Sequence, residues 1–248
     1  MKMLNNKNII ITGARRGIGR TTVEVFASNG ANIWACARKP DEIFEKDMVE
    51  LSNKYGVEIW PVYFDTTNEE QIKAAIISVK KQKKQIDSLI NVAGVVEDST
   101  SFTMTSLEKM RRVFEVNYFG LTLLTQYVSR LMIRQNSGSI INISSIAGID
   151  GTPAQYEYAS SKAAVIGGVR QLARELAPHN IRVNAVAPGI VDTDMSGHID
   201  PELKKTVLNT VMMKRVARPE EISNVCMFLA SDLSTYMTGQ VIRVDGGM

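Results

Sequence analysis

Cysteine and histidine are scarce, two of each in 248 residues. Cys36 and Cys226 stand far apart, with no CxxC and no Cys/His cluster. That excludes a structural zinc and a disulfide framework, and no metal site is expected. Free thiols suit a reducing compartment, so the cytoplasm is the expected address. His179 and His198 fall in no motif, and neither is assigned a catalytic role. Long apolar runs are missing as well. The opening "MKMLNNKNIIITG" carries only a few apolar residues before Thr12 and Gly13, too short for a signal-peptide core or a membrane span. Charge of one sign is also lacking: 29 basic against 26 acidic residues leave a net +3, too little to imply a nucleic-acid partner. The one dense basic run, "KKQKK" at 80–84, reads as the solvated end of a helix. No Pro/Gly/Ser-rich linker, composition shift or internal repeat divides the chain, which reads as one domain over 1–248.

What is present is an ordinary globular composition, 44% hydrophobic and 22% charged. Seven apolar, β-branched runs recur along it: "NIIIT", "NIWACA", "VEIWPVYF", "DSLINVA", "GSIINIS", "IRVNAVA" and "QVIRV". Helix-like segments lie between them at about 18–29, 41–55, 68–84, 106–134, 157–177 and 219–231, with a less regular stretch at 190–215. Such alternation predicts right-handed crossovers and a parallel sheet covered on both faces. The expected fold class is α/β, a Rossmann-type doubly wound sheet of about seven strands, with ligands beyond the carboxyl ends of the strands.

The first strand runs into "TGARRGIGR", which puts Gly13, Gly17 and Gly19 at a strand-to-helix turn. Glycine lets backbone amides approach a pyrophosphate, and the helix N-terminus favours its charge. The spacing differs from GxGxxG, and the context, first strand before and helix after, carries the dinucleotide reading. The second strand ends in "ACARK" with no acid before Asp41, so nothing there would accept from the 2′-hydroxyl of NAD. Arg38 stands in that place, and Arg15 and Arg16 add charge suited to a 2′-phosphate. NADP(H) is therefore the expected cofactor.

In "QYEYASSKAAV" two tyrosines stand two apart. On a helix Tyr158 lies beside Lys162, four residues on, whereas the neighbour of Tyr156 is Ser160. An ammonium there, together with a nearby oxidised nicotinamide, would favour phenolate and bring the Tyr158 pKa down from about 10 toward the working range. Tyr156 is given a packing role. A developing alkoxide also needs a donor, and Ser144 and Ser145 at a strand end are the candidates.

Taken in order, the motifs resemble those of the short-chain dehydrogenase/reductase family over nearly the full chain: "TGARRGIG", "FDTT", "NVAG", "VNYFG", "NISSIAG", "YASSK" and "APGIVDT". Val92 departs from the second Asn often found in the family. The resemblance implies a catalytic set of Asn117, Ser145, Tyr158 and Lys162. It selects Ser145 because the family's serine stands thirteen places before the tyrosine (158 − 145 = 13). Asn117 would hold, through a backbone irregularity, a water linked to the lysine, and Lys162 would bond the nicotinamide ribose. Cofactor contacts are implied at Gly13, Arg15, Arg16, Gly17, Ile18 and Gly19 in the loop, and at Arg38, Asp65 and Thr66 beyond the second and third strands. They are implied also at Asn91, Ala93 and Gly94, at Tyr158 and Lys162, and at Pro188, Gly189, Ile190 and Thr193.

The segment 190–215 resembles the family's substrate lid, with Met195, Met212 and Met213 as candidates for an apolar wall or for the core. "RPEEI" and "TGQVIRVDGGM" make the pattern most like that of the 3-oxoacyl-acyl-carrier-protein reductases, which implies a 3-oxoacyl thioester substrate. Where such enzymes present two arginines to an acidic acyl carrier protein, this chain has Asn136 and His179. A carrier-protein partner therefore stays open, beside other small ketones or alcohols such as sugars, steroids and cyclic alcohols. A cofactor-binding protein without catalysis is a further alternative. The family commonly forms tetramers through the segments 106–134 and 157–177, so a homotetramer is expected.

Overall fold

The computed structural model describes residues 2–194 and 201–248, so Met195 and His198 lie outside the described residues. Seven strands form one parallel sheet in the order β3-β2-β1-β4-β5-β6-β7. They are β1 (Asn8–Ile11), β2 (Asn32–Ala37), β3 (Ile59–Tyr63), β4 (Ser88–Asn91), β5 (Gly138–Ile143), β6 (Ile181–Pro188) and β7 (Val241–Val244). Six fall inside the predicted runs, and β6 extends one residue beyond its run, to Pro188. The reason is burial: a parallel strand covered on both faces reads as a continuous apolar run. Side chains then divide by parity. Ile9, Ile11, Ile33 and Ala35 face one core, and Ile10, Trp34 and Cys36 face the other.

The first core is closed by α1 (Gly17–Ser28), α2 (Glu42–Tyr55) and a late helix, Pro219–Ala230; the second by α3 (Glu69–Lys81), α5 (Leu121–Gln135) and α7 (Tyr156–Leu176). Local chemistry sets the helix ends. Asp41 and Asn68 cap α2 and α3 through the amides of Phe44 and Gln71, and Gly56 ends α2 at φ 66°. Helix α3 stops at Lys81, three residues short of the expected 84, and its run of lysines is solvated. The long helix expected over 106–134 is broken into α4 (Leu107–Phe114), a widened π turn (Glu115–Gly120) and α5. A single turn, α6 (Ala147–Asp150), precedes α7. Among the described residues the irregular stretch holds a helix, α8 (Pro201–Thr210), which makes Pro219–Ala230 α9. No helix among the described residues is long and apolar enough to cross a membrane.

Strand order reverses at β1, which pairs with β2 on one side and β4 on the other. The crevice beyond the carboxyl ends of these strands is where a doubly wound sheet takes its ligand.

Candidate active site

Beyond β1 the chain turns tightly. Gly13 (φ 67°) and Gly17 (φ 54°) occupy the left-handed region. A Cβ on Gly13 would stand 3.0 Å from the Ala93 amide nitrogen, and one on Gly19 would meet the Gly13 carbonyl oxygen at 2.0 Å. The cradle exists only without side chains, and α1 opens from it with no acid in its first turn to oppose an anion. This fits a pyrophosphate held by the amides around Gly17, Ile18 and Gly19. Thr12, which the sequence reading passed over as a strand residue, ties the cradle to the next strand. Its hydroxyl accepts from the amides of Val92 and Ala93 at 2.9 and 3.0 Å. A polar residue directly after the run Ile9–Ile11 was the available signal. Thr193 packs here too, its methyl 3.3 Å from the place of a Gly17 Cβ, so the start of the presumed lid segment touches the glycine loop.

The three arginines gather at this end of the sheet, each beside a carboxylate. Arg15 bonds Asp41, Arg16 lies 3.8 Å from Asp194, and Arg38 lies 3.8 Å from Asp65. Asp41, the first acid after β2, is committed to Arg15 and to capping α2. All three arginines are exposed. Partial burial pushes the Asp65 carboxyl up, but hydrogen bonds from Thr67 and the charges of Arg38 and Lys39 hold it below the usual range. The neighbouring Thr66 carbonyl runs so close to the π turn that a Cβ on Gly120 would meet it at 2.3 Å. Asn91, expected among the cofactor contacts, ends β4. Its carboxamide is buried in the sheet, donating to Thr125 and Asn142, so its side chain is not turned to the crevice.

Ser145 follows β5, and α7 brings Tyr158 and Lys162 against it. Close packing holds this arrangement: a Cβ on Gly148 would stand 2.7 Å from the backbone of Lys162 and Ala163. The Ser145 hydroxyl hydrogen-bonds the Tyr158 phenol and also accepts from the Ala147 amide at 3.1 Å. Ser144 turns away and donates to the Lys162 carbonyl at 2.8 Å, as strand alternation requires. The Lys162 ammonium lies 5.8 Å from the Tyr158 ring centre and donates to the Ile143 carbonyl at 3.0 Å. Burial lowers the Lys162 pKa to about 8. Burial also raises the Tyr158 phenol above its ordinary value, with the Ser145 hydrogen bond opposing. In the protein alone desolvation outweighs the Ser145 hydrogen bond and favours the protonated phenol, whereas the expected lowering drew on a bound oxidised nicotinamide as well as the ammonium.

Asn117 sits in the π turn. Its side chain accepts from the Val95 amide (2.8 Å) and donates to the Val95 carbonyl (2.9 Å) and to Ser161 (3.1 Å). Gly94 fits between it and the lysine: a Cβ there would be 3.2 Å from both Asn117 Oδ1 and Lys162 Nζ. Ser161, also missed, bonds the Tyr158 carbonyl. Tyr156 stands apart, half exposed, with its ring 4.7 Å from that of Phe102. Gly189 packs against Asp245, and Pro188 ends β6. Met212 and Met213 are exposed, and their amides bond the carbonyls of Gly247 and Gly246 (3.4 and 3.0 Å).

Comparison with known proteins agrees with this geometry. A family model described as "Enoyl-(Acyl carrier protein) reductase" matches residues 13–248. The 3-oxoacyl-[acyl-carrier-protein] reductase FabG of Thermotoga maritima is 40% identical over 245 residues, covering 99% of this chain and 98% of the relative. That of Aquifex aeolicus is 39% identical over 245 residues, with the same coverage. A 3-oxoacyl-[acyl-carrier protein] reductase from Brucella melitensis superposes with TM-score 0.90 at 30% identity, over 100% of this chain and 92% of that one. A putative gluconate dehydrogenase from Agrobacterium tumefaciens gives TM-score 0.94 at 29% identity, over 99% and 96%. With its glycine loop, its serine, tyrosine and lysine, and these relatives, the chain belongs to the short-chain dehydrogenase/reductase family.

Proposed function

We propose that the protein reduces a 3-oxoacyl thioester, carried by acyl carrier protein, to its 3-hydroxyacyl form with NADPH. The observation that carries the reductase chemistry is the packing of Ser145, Tyr158 and the buried Lys162, whose Nζ lies 5.8 Å from the Tyr158 ring centre, and the 3-oxoacyl-[acyl-carrier-protein] reductase relatives support the substrate. Ser145 and Tyr158 present two donors to a ketone oxygen. Tyr158 gives up its phenolic proton as negative charge grows on that oxygen, and Lys162 stabilises the phenolate left behind. Asn117 keeps its carboxamide for Val95 and Ser161, so its link to a proton-carrying water falls to the main chain of the π turn. Bound in the cradle, the nicotinamide cofactor supplies the hydride. Arg15, Arg16 and Arg38 favour the 2′-phosphate form, since all three guanidinium groups are exposed and suited to bind it.

A second reading keeps the chemistry and changes the substrate to a small ketone or alcohol without a carrier. Asn136 favours it. This residue ends α5 in the left-handed conformation (φ 54°), which Asn adopts more readily than Arg, so the helix end is shaped for a cap where a docking arginine would stand. The putative gluconate dehydrogenase likeness points the same way. The deciding experiment follows loss of reduced nicotinamide absorbance with acetoacetyl groups on carrier protein and on coenzyme A, with NADPH and NADH, beside a panel of sugar and cyclic ketones. A carrier-linked substrate with the highest kcat/KM supports the first reading. Turnover confined to free ketones supports the second, and no turnover of any ketone sinks both.

A homotetramer is proposed with this function. Leu107 and Phe119 are exposed on α4 and the π turn, and among the described residues nothing lies within 4 Å of where a Cβ on Gly167 or Gly168 of α7 would stand. These are apolar and open faces suited to a second copy.

A further inference from the structure

A buried charge pair stands beside the site and takes no part in the chemistry above. Glu157 immediately precedes Tyr158, and its side chain is 1% exposed. Lys109 on α4, 10% exposed, places Nζ 2.9 Å from Oε1 of that carboxylate. Among the described residues Lys109 is the cation paired with Glu157, and the carboxylate accepts no well-aligned hydrogen bond. A buried carboxylate matched by one ammonium recovers little or none of its desolvation cost, so stability does not account for the pair.

The other bonds of the ammonium give a better account. Lys109 Nζ donates to the Asp98 carbonyl and to the Thr100 hydroxyl (3.0 Å), both in the loop that joins β4 to α4. That loop runs past the reacting end of the sheet. Asn117 holds it at Val95, the Ala154 carbonyl takes the Thr100 amide at 2.8 Å, and Phe102 rests on Tyr156. Arg112 holds Glu97, but that pair is exposed and contributes little. Lys109 is thus the buried tie between the middle of the loop and the turn of α7 that carries Tyr158.

We propose that Lys109 is a positioning residue for substrate: by spanning Glu157, Asp98 and Thr100 it fixes the β4–α4 loop against the first turn of α7, and the loop so fixed is a wall of the ketone site. The proposal rests on the reductase reading of Tyr158. Lys109 touches neither the phenol nor the proton it moves, so its loss is felt in substrate binding more than in turnover.

Three variants separate positioning from mere support: Lys109→Met, Lys109→Arg, and the double variant Lys109→Met/Glu157→Met. The single Met variant leaves an unpaired buried anion and loses stability. The double variant removes the anion and recovers its denaturation midpoint. Its KM for acetoacetyl thioester stays raised by about tenfold or more while kcat stays within about threefold, and Lys109→Arg restores KM. A double variant with the KM of the wild type overturns the proposal, as does a kcat loss with KM unchanged. Hydrogen exchange at the Thr100 amide gives a readout independent of the reaction. Protection falls in the double variant and holds in Lys109→Arg. If the wild type reduces no ketone, the reductase reading fails, and exchange alone decides the tie: unchanged protection at Thr100 in the double variant refutes it.

Discussion

Tyr158 and Tyr156 differ by two places in sequence and by everything in surroundings. One is bonded to Ser145 above Lys162, and the other is half exposed against Phe102. Tyr158→Phe should therefore bind NADPH, as seen by fluorescence titration, while losing at least about a thousandfold in kcat, at the level expected for a unit of coupled groups. Tyr156→Phe should keep most of its activity. Lys162 lends itself to a thermodynamic test. Its pKa is about 8 when folded against an ordinary 10.5, so between those values the unfolded chain binds more protons and stability rises with pH. Lys162→Met should unfold at higher denaturant than the wild type at pH 7, with the gap closing between pH 8 and 10.5; a gap independent of pH would refute the assignment. Arg38→Asp should shift preference from NADPH toward NADH, and an unchanged ratio of kcat/KM values would remove Arg38 from the 2′-phosphate site. The Tyr–Lys pair was legible because four residues on a helix is a local distance. The raised phenol was not, since burial is decided by strands and loops far away in sequence. Nor was the buried carboxamide of Asn91, whose partners Thr125 and Asn142 belong to α5 and β5.

At the scale of elements, the π turn does what a straight helix over 106–134 would not. It carries Asn117 to Val95 and Ser161 at once, and leaves Gly120 under the Thr66 carbonyl. Gly120→Ala tests the second contact. With a Cβ 2.3 Å from that oxygen, helix or loop must move, so the variant should lose about 1–3 kcal/mol in chemical denaturation and bind NADPH more weakly. Unaltered affinity would show that the Asp65–Thr66 loop plays no part in holding the cofactor. The strands were readable because parallel strands covered on both faces carry uninterrupted apolar residues, as "NIWACA" does. The break in the helix was foreshadowed only by the family resemblance, which implies a backbone irregularity at Asn117, and not by the apolar pattern. Residues 115–120 read EVNYFG, in which Val116, Asn117 and Gly120 are weak helix formers, but a weak propensity does not by itself specify a π turn. Helix α8 was likewise passed over because the polar and apolar residues of 190–215 show no clean period.

For the molecule as a whole, sedimentation at micromolar concentration should give about four times the 27.4 kDa of one chain, and a monomeric mass would contradict the tetramer. The order of strands bears on time as well as on shape. Because β4 lies beside β1 with β2 and β3 on the far side, the cradle at 13–19 and the catalytic turn at 145–162 meet only after long stretches of chain have closed. Parallel pairings of this kind form slowly, and the two parts of the site come together only once β4 has paired with both β1 and β5. Recovery from denaturant should then show NADPH binding and reduction returning in a single phase, later than the bulk of the helical signal.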